Sequence, residues 1–246
     1  MNAFVGELIG TMLLILLGDG VVANVLLRGT KGNNGGWIVI TMGWALAVFV
    51  GVVVASAASG AHLNPAVTIA MAYAGKISWT LLPSYIGAQM IGAMIGALLV
   101  WMQYKQHFDS TEDGNAKLGV FCTAPAIRSP FWNTISEIIG TFVLVFAALS
   151  ISSPTGGLGS LNALPIAAVV AVIGLSLGGT TGYAINPARD LGPRIMHALL
   201  PIPRKRDSDW GYAPVPIIGP ILGGLVAAIV HGALSSAKPV GAIIGQ

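Results

Sequence analysis

Two Asn-Pro-Ala triplets are the residues of this chain whose types and spacing could do chemistry. Asn64-Pro65-Ala66 and Asn186-Pro187-Ala188 begin 122 residues apart, about half the chain. Asparagine is a good helix N-cap, and proline is favoured at the first helical position. Two such helix starts meeting inside a membrane would join amide donors to two positive helix ends. That arrangement would repel cations and orient a passing hydroxyl or water oxygen.

The residues that lead into each triplet predict a polar path. Gly60-Ala61-His62 and Gly182-Tyr183-Ala184 cannot be helical if they descend into the membrane, and their backbone would be costly in lipid. Their carbonyls could then form a ladder of acceptors for hydroxyl-bearing solutes. The alternative is a pair of Asn-Pro loop dipeptides outside the bilayer, which two symmetric copies before half-length apolar helices disfavour.

Three charged residues accompany the triplets. Arg189 follows Asn186 by three residues, and its counterpart in the first copy is the neutral Val67. At a narrow part of a pore it would block cations and donate to hydroxyls, whereas the alternative is an arginine that snorkels to headgroups. Glu7 and Glu137 lie within apolar spans at equivalent places. They are either a proton relay or hydrogen-bond anchors for the re-entrant loops, and their duplication favours the anchor.

Composition predicts a polytopic helical membrane protein. The 246 residues are 54% hydrophobic and 9% charged, where a soluble domain carries roughly 25% charged residues. The continuous apolar runs are long enough for helices that cross a bilayer and unlike barrel strands. The small net charge of +3 is dispersed over loops and predicts no nucleic-acid partner. Cys122 is the single cysteine, so we expect no disulfide within the chain and no cysteine-based metal site. No other metal and no cofactor is expected.

Six spans and two short helices position the triplets. The spans are expected at about 3–27, 37–57, 80–104, 131–152, 163–178 and 215–233. The short helices, at about 65–74 and 187–199, cannot cross, because ten residues extend only about 15 Å. They are expected to enter and return as re-entrant elements. A Gly-rich turn, 153–160, is expected between the fourth and fifth spans.

The two halves of the chain repeat one another. Glu7-Leu8-Ile9-Gly10-Thr11 matches Glu137-Ile138-Ile139-Gly140-Thr141, and we pair Gly92 and Gly96 with Gly219 and Gly223. Three spans per half is an odd number, so the halves insert in opposite directions, with a transport site at the midplane. We expect a single channel domain over 1–246: repeat one at about 1–104, a connecting loop at 105–130, and repeat two at about 131–246.

These residues resemble the major intrinsic protein (aquaporin) family over essentially the whole chain, and within it the bacterial glycerol-facilitator (aquaglyceroporin) branch. The resemblance implies an all-α membrane fold of six transmembrane helices plus two re-entrant half-helices. It further implies a channel rather than an enzyme, one pore per subunit, a homotetramer, and a place in the cell membrane with both termini cytoplasmic. The implied solutes are small and uncharged, namely glycerol, related polyols and water. The resemblance implies that ions and protons are excluded.

The resemblance also assigns a selectivity filter by spacing from the triplets. Its four positions fall on Trp44, Gly174, Tyr183 and Arg189. Gly174 is expected to widen the filter, the two aromatic residues to face carbon-bound hydrogens, and Arg189 to take the hydroxyls. Asp190 and Arg194, with Pro216 and Tyr104, stand where the glycerol branch differs from the water branch.

Two points leave alternatives open. The aromatic at Tyr183 is usually Phe in glycerol facilitators, so dihydroxyacetone, urea, water, hydrogen peroxide or neutral lactic acid are alternative solutes. A secondary transporter is the alternative class of protein. We disfavour it because we take Glu7 and Glu137, the two anchors, to be the only carboxylates deep in the spans. The family topology also places most of the Lys and Arg residues outside, against the positive-inside rule; we expect the family topology.

Overall fold

The computed structural model describes residues 1–151, 157 and 159–236. Within them, six helical spans are long and apolar enough to cross a membrane: Ala3–Leu26, Trp37–Ser59, Trp79–Gln103, Pro130–Ser150, Gly159–Ser176 and Val215–Ser236. Their α-helices are α1 Ala3–Leu26, α2 Trp37–Ser59, α4 Leu82–Gln103, α7 Pro130–Ser150, α8 Leu164–Ser176 and α10 Val215–Ser236. Short 3-10 turns, Trp79–Leu81 and Gly159–Ala163, precede α4 and α8. The expected six-span, all-α architecture is confirmed.

Two half-helices, α3 Pro65–Tyr73 and α9 Pro187–Leu199, begin at the triplets. Their bounds differ from the sequence prediction by at most one residue. The connecting segment was expected to be a loop but contains two short helices, α5 Lys105–Ser110 and α6 Gly114–Phe121. Asp113 starts α6, because its side chain accepts a hydrogen bond from the Asn115 N–H at 2.8 Å. Most of the expected turn at 153–160 lies outside the described residues.

The helices pack as an inverted repeat in which each half completes the other. Helix α1 contacts α2 and α4, just as α7 contacts α8 and α10. Half-helix α3 packs mainly on α10, and α9 packs mainly on α4. Each half-helix therefore lies against the last span of the opposite half, which brings the two triplets together at the centre.

Close backbone contacts show which glycines are equivalent. A Cβ added at Gly92 would lie 2.3 Å from the carbonyl oxygen of Leu8, and one added at Gly223 would lie 2.3 Å from that of Ile138. Leu8 and Ile138 hold matching places in the repeat. The counterpart of Gly92 is therefore Gly223, and our pairing of Gly92 with Gly219 was wrong by about one helical turn.

The long connections gather on one side of the protein, which we call the loop face. It comprises residues 27–36, 104–129, 177–181 and 200–214. Arg28 N–H donates to the Thr111 hydroxyl at 2.9 Å, and Ala126 N–H donates to the Thr180 carbonyl at 3.0 Å. The opposite side, the terminal face, carries the N-terminus and residues 74–81. A path across the membrane therefore runs from the loop face to the terminal face.

Candidate functional site

The triplet asparagines cap the two half-helices. The Oδ1 of Asn64 accepts from the Ala66 N–H at 2.9 Å. The Oδ1 of Asn186 accepts from the N–H groups of Ala188 and Arg189 at 3.0 and 3.2 Å. Each side-chain oxygen is thus turned toward its own helix, so each amide nitrogen must point the other way.

Those amide nitrogens tie the two halves together. The Nδ2 of Asn64 donates to the Ile185 carbonyl at 2.7 Å, and the Nδ2 of Asn186 donates to the Leu63 carbonyl at 2.8 Å. An amide carries two N–H groups, so one of each pair is used across the junction and one remains for the path. These crossed bonds had no signal in the sequence.

Glu7 holds the segment that leads into the first triplet. Its Oε1 accepts from the Ser59 hydroxyl at 2.5 Å and the His62 N–H at 2.9 Å. Its Oε2 accepts from the Leu63 N–H and from Gln89 Nε2, both at 2.7 Å. A carboxylate completely buried in α1 is thus surrounded by donors, as the anchor interpretation expects and a proton relay does not require.

Glu137 repeats this arrangement in the second half. Its Oε1 accepts from the Thr181 hydroxyl at 2.6 Å and the Ala184 N–H at 3.0 Å, and its Oε2 accepts from the Ile185 N–H at 2.8 Å. Two successive backbone N–H groups that share one anion form a nest. The segment before each half-helix therefore forms a nest that binds a glutamate carboxylate.

The nests determine where the loop carbonyls point. Across a trans peptide the carbonyl is directed opposite to the N–H, and the described residues contain no cis peptide. The carbonyls of Ala61 and His62 therefore point away from Glu7, and those of Tyr183 and Ala184 point away from the second carboxylate. These four carbonyls are therefore free to face the space between the two segments.

This backbone geometry requires left-handed residues. Ala61, Leu63, Tyr183 and Ile185 have φ of 54°, 53°, 38° and 43°, a region that non-glycine residues rarely adopt. The glycines that begin the two segments, Gly60 and Gly182, have φ of 81° and 79°. Strain of this kind occurs where the surrounding structure enforces it, and here the carboxylates do so.

One cavity connects the predicted residues. Its wall includes nine of them: Trp44, Gly60, Ala61, His62, Asn64, Tyr183, Ala184, Asn186 and Arg189. Apolar side chains such as Val48, Val52, Leu144, Ile166 and Val170 line the rest of the wall. Donors and acceptors thus follow the triplet segments, while the facing helices present hydrocarbon.

Trp44 and Arg189 lie against each other in the cavity wall. The guanidinium carbon of Arg189 lies 4.0 Å from the centre of the Trp44 ring, a cation–π contact. The indole in turn packs on Gly18, where an added Cβ would lie 2.2 Å from it. Glycine in α1 therefore allows the bulky Trp44 to lie flat beneath the arginine.

Tyr183 fills the space that Gly174 leaves. A Cβ added at Gly174 would lie 2.8 Å from the Tyr183 Cζ and 2.6 Å from the Thr41 Cγ2. Trp37 packs edge-on against Tyr183, with ring centres 5.7 Å apart, and its Nε1 donates to the Gly174 carbonyl at 2.9 Å. Gly174 therefore makes room for the aromatic ring, and of these two residues Tyr183 is the one that lines the cavity. Trp37 and Thr41 had no signal in the sequence.

Asp190 and Arg194 lie outside the cavity wall and hold α9 against the loop face. Asp190 accepts from Arg194 Nε at 2.8 Å and from the N–H and hydroxyl of Thr123 at 2.8 and 2.7 Å. Arg194 Nη1 donates to the carbonyls of Ser208 and Asp209 at 2.7 and 3.0 Å. This buried network joins α9 to two loop-face segments. Asp190 and Arg194 therefore stabilise the position of α9 and do not line the cavity.

A third deep carboxylate was overlooked. Asp19 in α1 is fully buried, and its Oδ1 lies 3.7 Å from the Arg189 Nη1. The assumption that Glu7 and Glu137 are the only carboxylates deep in the spans was therefore wrong. A charged residue inside an apolar span was visible in the sequence, but its partner was not, because 170 positions separate the two.

Two inverted three-span halves with half-helices joined tip to tip around a polar path define a multi-pass membrane channel. The sequence model of the major intrinsic protein family matches residues 1–231. A probable glycerol uptake facilitator protein of Thermotoga maritima is 55% identical, over 94% of this chain and 98% of its own length. The glycerol uptake facilitator protein of Bacillus subtilis is 54% identical, over 95% and 85%. The structure of the aquaglyceroporin from Plasmodium falciparum aligns with a TM-score of 0.83 at 30% identity, over 95% and 96%.

The chain belongs to the major intrinsic protein family. Members of this family are passive channels, which agrees with the inverted halves and with the cavity between them. The chain is therefore a membrane channel and not an enzyme.

Proposed function

We propose that the chain conducts glycerol and related small polyols, together with water, down their gradients. The observation that carries this proposal is the two-sided cavity wall, in which Arg189 lies over Trp44 while Tyr183 faces the same cavity. A polyol has hydroxyls along one edge and carbon-bound hydrogens along the other. The guanidinium and the loop carbonyls accommodate the first edge, and the two aromatic rings accommodate the second. The names of the relatives support the same solute.

Cations and protons are excluded by the same residues. Arg189 and the two half-helix N-termini place positive potential along the path, which raises the energy of a cation. An oxygen that accepts from both Asn64 and Asn186 at the junction polarises its neighbours away from itself, which interrupts a proton wire. The symmetric pair of Asn-Pro-Ala triplets thus sets the barrier to protons. The asymmetric filter determines the solute, and it consists of Trp44, Gly174, Tyr183 and Arg189.

The channel acts as one domain over 1–246, with repeat one at about 1–104, the connection at 105–130 and repeat two at about 131–246. Four copies assemble in the lipid bilayer of the cell membrane, each with its own pore. Both termini are cytoplasmic, so the loop face is outside. This orientation follows the family resemblance.

The basic residues of the loop face have structural uses, which explains why they oppose the positive-inside rule. Lys205 donates to the carbonyls of His197, Ala198 and Leu200 at 2.5 to 2.7 Å, at the C-terminal end of α9. A cation there compensates the negative end of the helix dipole. Lys117 likewise donates to the Pro203 carbonyl and joins two connections of the loop face.

Site-directed labelling tests the orientation. In a Cys122→Ser background, a cysteine is placed at Ile127, which is 80% exposed on the loop face, or at Lys76, which is exposed on the terminal face. A membrane-impermeant maleimide applied to intact cells should label the Ile127→Cys protein. It should reach the Lys76→Cys protein only after permeabilisation. The reverse pattern would invert the assignment.

Stopped-flow light scattering on proteoliposomes tests the function. Glycerol flux should rise in proportion to its gradient and should not respond to a proton gradient. Saturation at low concentration together with proton coupling would instead identify a secondary transporter. A panel of dihydroxyacetone, urea, hydrogen peroxide and lactic acid ranks the solutes, and higher permeability of one of these would reassign the solute. Arg189→Ala should increase proton and ion leak, and an unchanged leak would remove Arg189 from the barrier.

A further inference from the structure

Asp19 is the buried polar side chain that the proposed function leaves unexplained. Its side chain is completely buried within α1. Neither carboxylate oxygen has a hydrogen-bond partner among the described residues, and the Arg189 Nη1 also has none. The two groups nevertheless face each other at 3.7 Å. Because an isolated buried carboxylate is very costly, this position requires a reason.

The surroundings of Asp19 connect it to the filter rather than to the fold in general. The residue before it, Gly18, supports the indole of Trp44, and that indole carries the guanidinium of Arg189. One turn of α1 therefore supplies both a seat for the aromatic ring and a countercharge for the arginine. Asp19 itself is not part of the cavity wall, so it acts on solutes only through Arg189.

Charge at the filter gives this contact a purpose. Arg189 contributes one positive charge, and each half-helix N-terminus contributes about half a charge. A path with this potential rejects cations, but it also attracts small anions. The other carboxylate beside Arg189, Asp190, is already joined to Arg194 and Thr123. Asp19 is therefore the carboxylate left to face the guanidinium.

We propose that Asp19 is a specificity-determining positioning residue, which holds the Arg189 guanidinium against Trp44 and offsets its charge, so that the filter passes uncharged solutes and rejects small anions. This inference rests on the proposed filter. It adds a residue from α1 to a site otherwise built by α2, α8, α9 and the segment before α9.

The test compares Asp19→Asn with Thr11→Val in proteoliposomes. Thr11 is a matched control, since it also lies in α1, is fully buried and has a hydroxyl without a partner among the described residues. Asp19→Asn should lower the glycerol-to-water permeability ratio at least about fivefold, the effect of losing one charge about 4 Å from another even at the dielectric constant of water. Its chloride conductance should rise above that of wild type. Thr11→Val should match wild type in both. An Asp19→Asn protein with wild-type selectivity and chloride exclusion would overturn the inference.

A double variant separates positioning from a merely structural role. Arg189→Ala leaves Asp19 buried without a countercharge and should lower the apparent melting temperature in detergent. Adding Asp19→Asn should restore part of that loss, because it removes the stranded charge. Independent, additive losses would contradict the pairing. If wild type passed no more glycerol than protein-free vesicles, the proposed function would fail instead.

Discussion

The duplicated carboxylates allow stability and selectivity to be separated within one molecule. Glu137→Gln keeps the shape of the side chain but replaces one acceptor oxygen by an amide nitrogen. With the remaining oxygen facing Thr181 and Ala184, the new nitrogen faces the Ile185 N–H, which was bound at 2.8 Å. Two donors then oppose each other. Glu7→Gln produces the same conflict at the Leu63 N–H, bound at 2.7 Å in the native protein, while Gln89, which also donates to that oxygen, can turn its unpaired Oε1 toward the new nitrogen.

The magnitude follows from the orphaned N–H group. Leaving a buried donor unsatisfied costs about 1–3 kcal/mol. The two remaining bonds weaken when their acceptor loses its charge, but removing a buried charge offsets part of that loss. We therefore expect each substitution to reduce the free energy of unfolding by about 2 kcal/mol. For a chain of this size that corresponds to a fall of about 4–8 °C in the melting temperature.

The functional effects of the two substitutions should differ although their stability effects agree. Glu137 holds the segment that contains Tyr183 and leads to Arg189, whereas Glu7 holds the segment at Ala61, which has no filter residue. Thermal scanning in detergent should give similar shifts for both variants. In proteoliposomes, Glu137→Gln should lower the glycerol-to-water permeability ratio and Glu7→Gln should leave it near wild type. Equal changes in that ratio would refute the asymmetric filter, and unchanged melting temperatures would refute the anchor role.

Three further substitutions test the packing of the path. Gly174→Ala should lower glycerol permeability at least about fivefold, because overpacking against the Tyr183 ring costs about 1–3 kcal/mol; flux at the wild-type level would show that the ring yields freely. Tyr183→Phe should change the glycerol-to-water permeability ratio by less than the about fivefold effect expected of Gly174→Ala, since the Tyr183 hydroxyl packs 3.0 Å from where a Gly174 Cβ would be. A larger change would place the hydroxyl in the solute path. Gly223→Ala should destabilise the protein by about 1–3 kcal/mol, whereas Gly232→Ala, with nothing within 4 Å of its added Cβ, should not; equal melting temperatures would contradict the close approach of α10 and α7.

The fold was predictable because its signals are local and repeated. Hydrophobic runs long enough to span a bilayer locate the spans, and Asn-Pro-Ala locates each half-helix through cap chemistry that depends on adjacent residues. The odd number of spans per half implies inversion without any structural information. The one-turn error at Gly219 shows the limit of this reasoning, because a glycine-rich span offers several registers that only backbone contacts distinguish.

The site was less predictable because its decisive contacts join residues distant in sequence. The approach of Asp19 to Arg189, the Trp37 bond to Gly174 and the crossed bonds of the asparagines all depend on how the inverted halves interlock. Composition indicates that Asp19 is costly in a span, but it does not indicate which cation compensates it. Gly174 illustrates the same point, since its missing side chain predicts a wide filter until Tyr183 is seen in the vacated space.

The carboxylates explain why acceptors and donors share so narrow a path. A ladder of carbonyls facing solutes requires successive peptides turned the same way, and this forces alternate residues into the left-handed region. Each such non-glycine residue costs on the order of 1–3 kcal/mol, and each segment contains two of them, Ala61 with Leu63 and Tyr183 with Ile185. Hydrogen bonds to a charged acceptor contribute about 1.5–3 kcal/mol each, and each carboxylate receives at least three. The anchors therefore offset the strain that aims the carbonyls, so a buried charge outside the path is a condition of the path's own polarity.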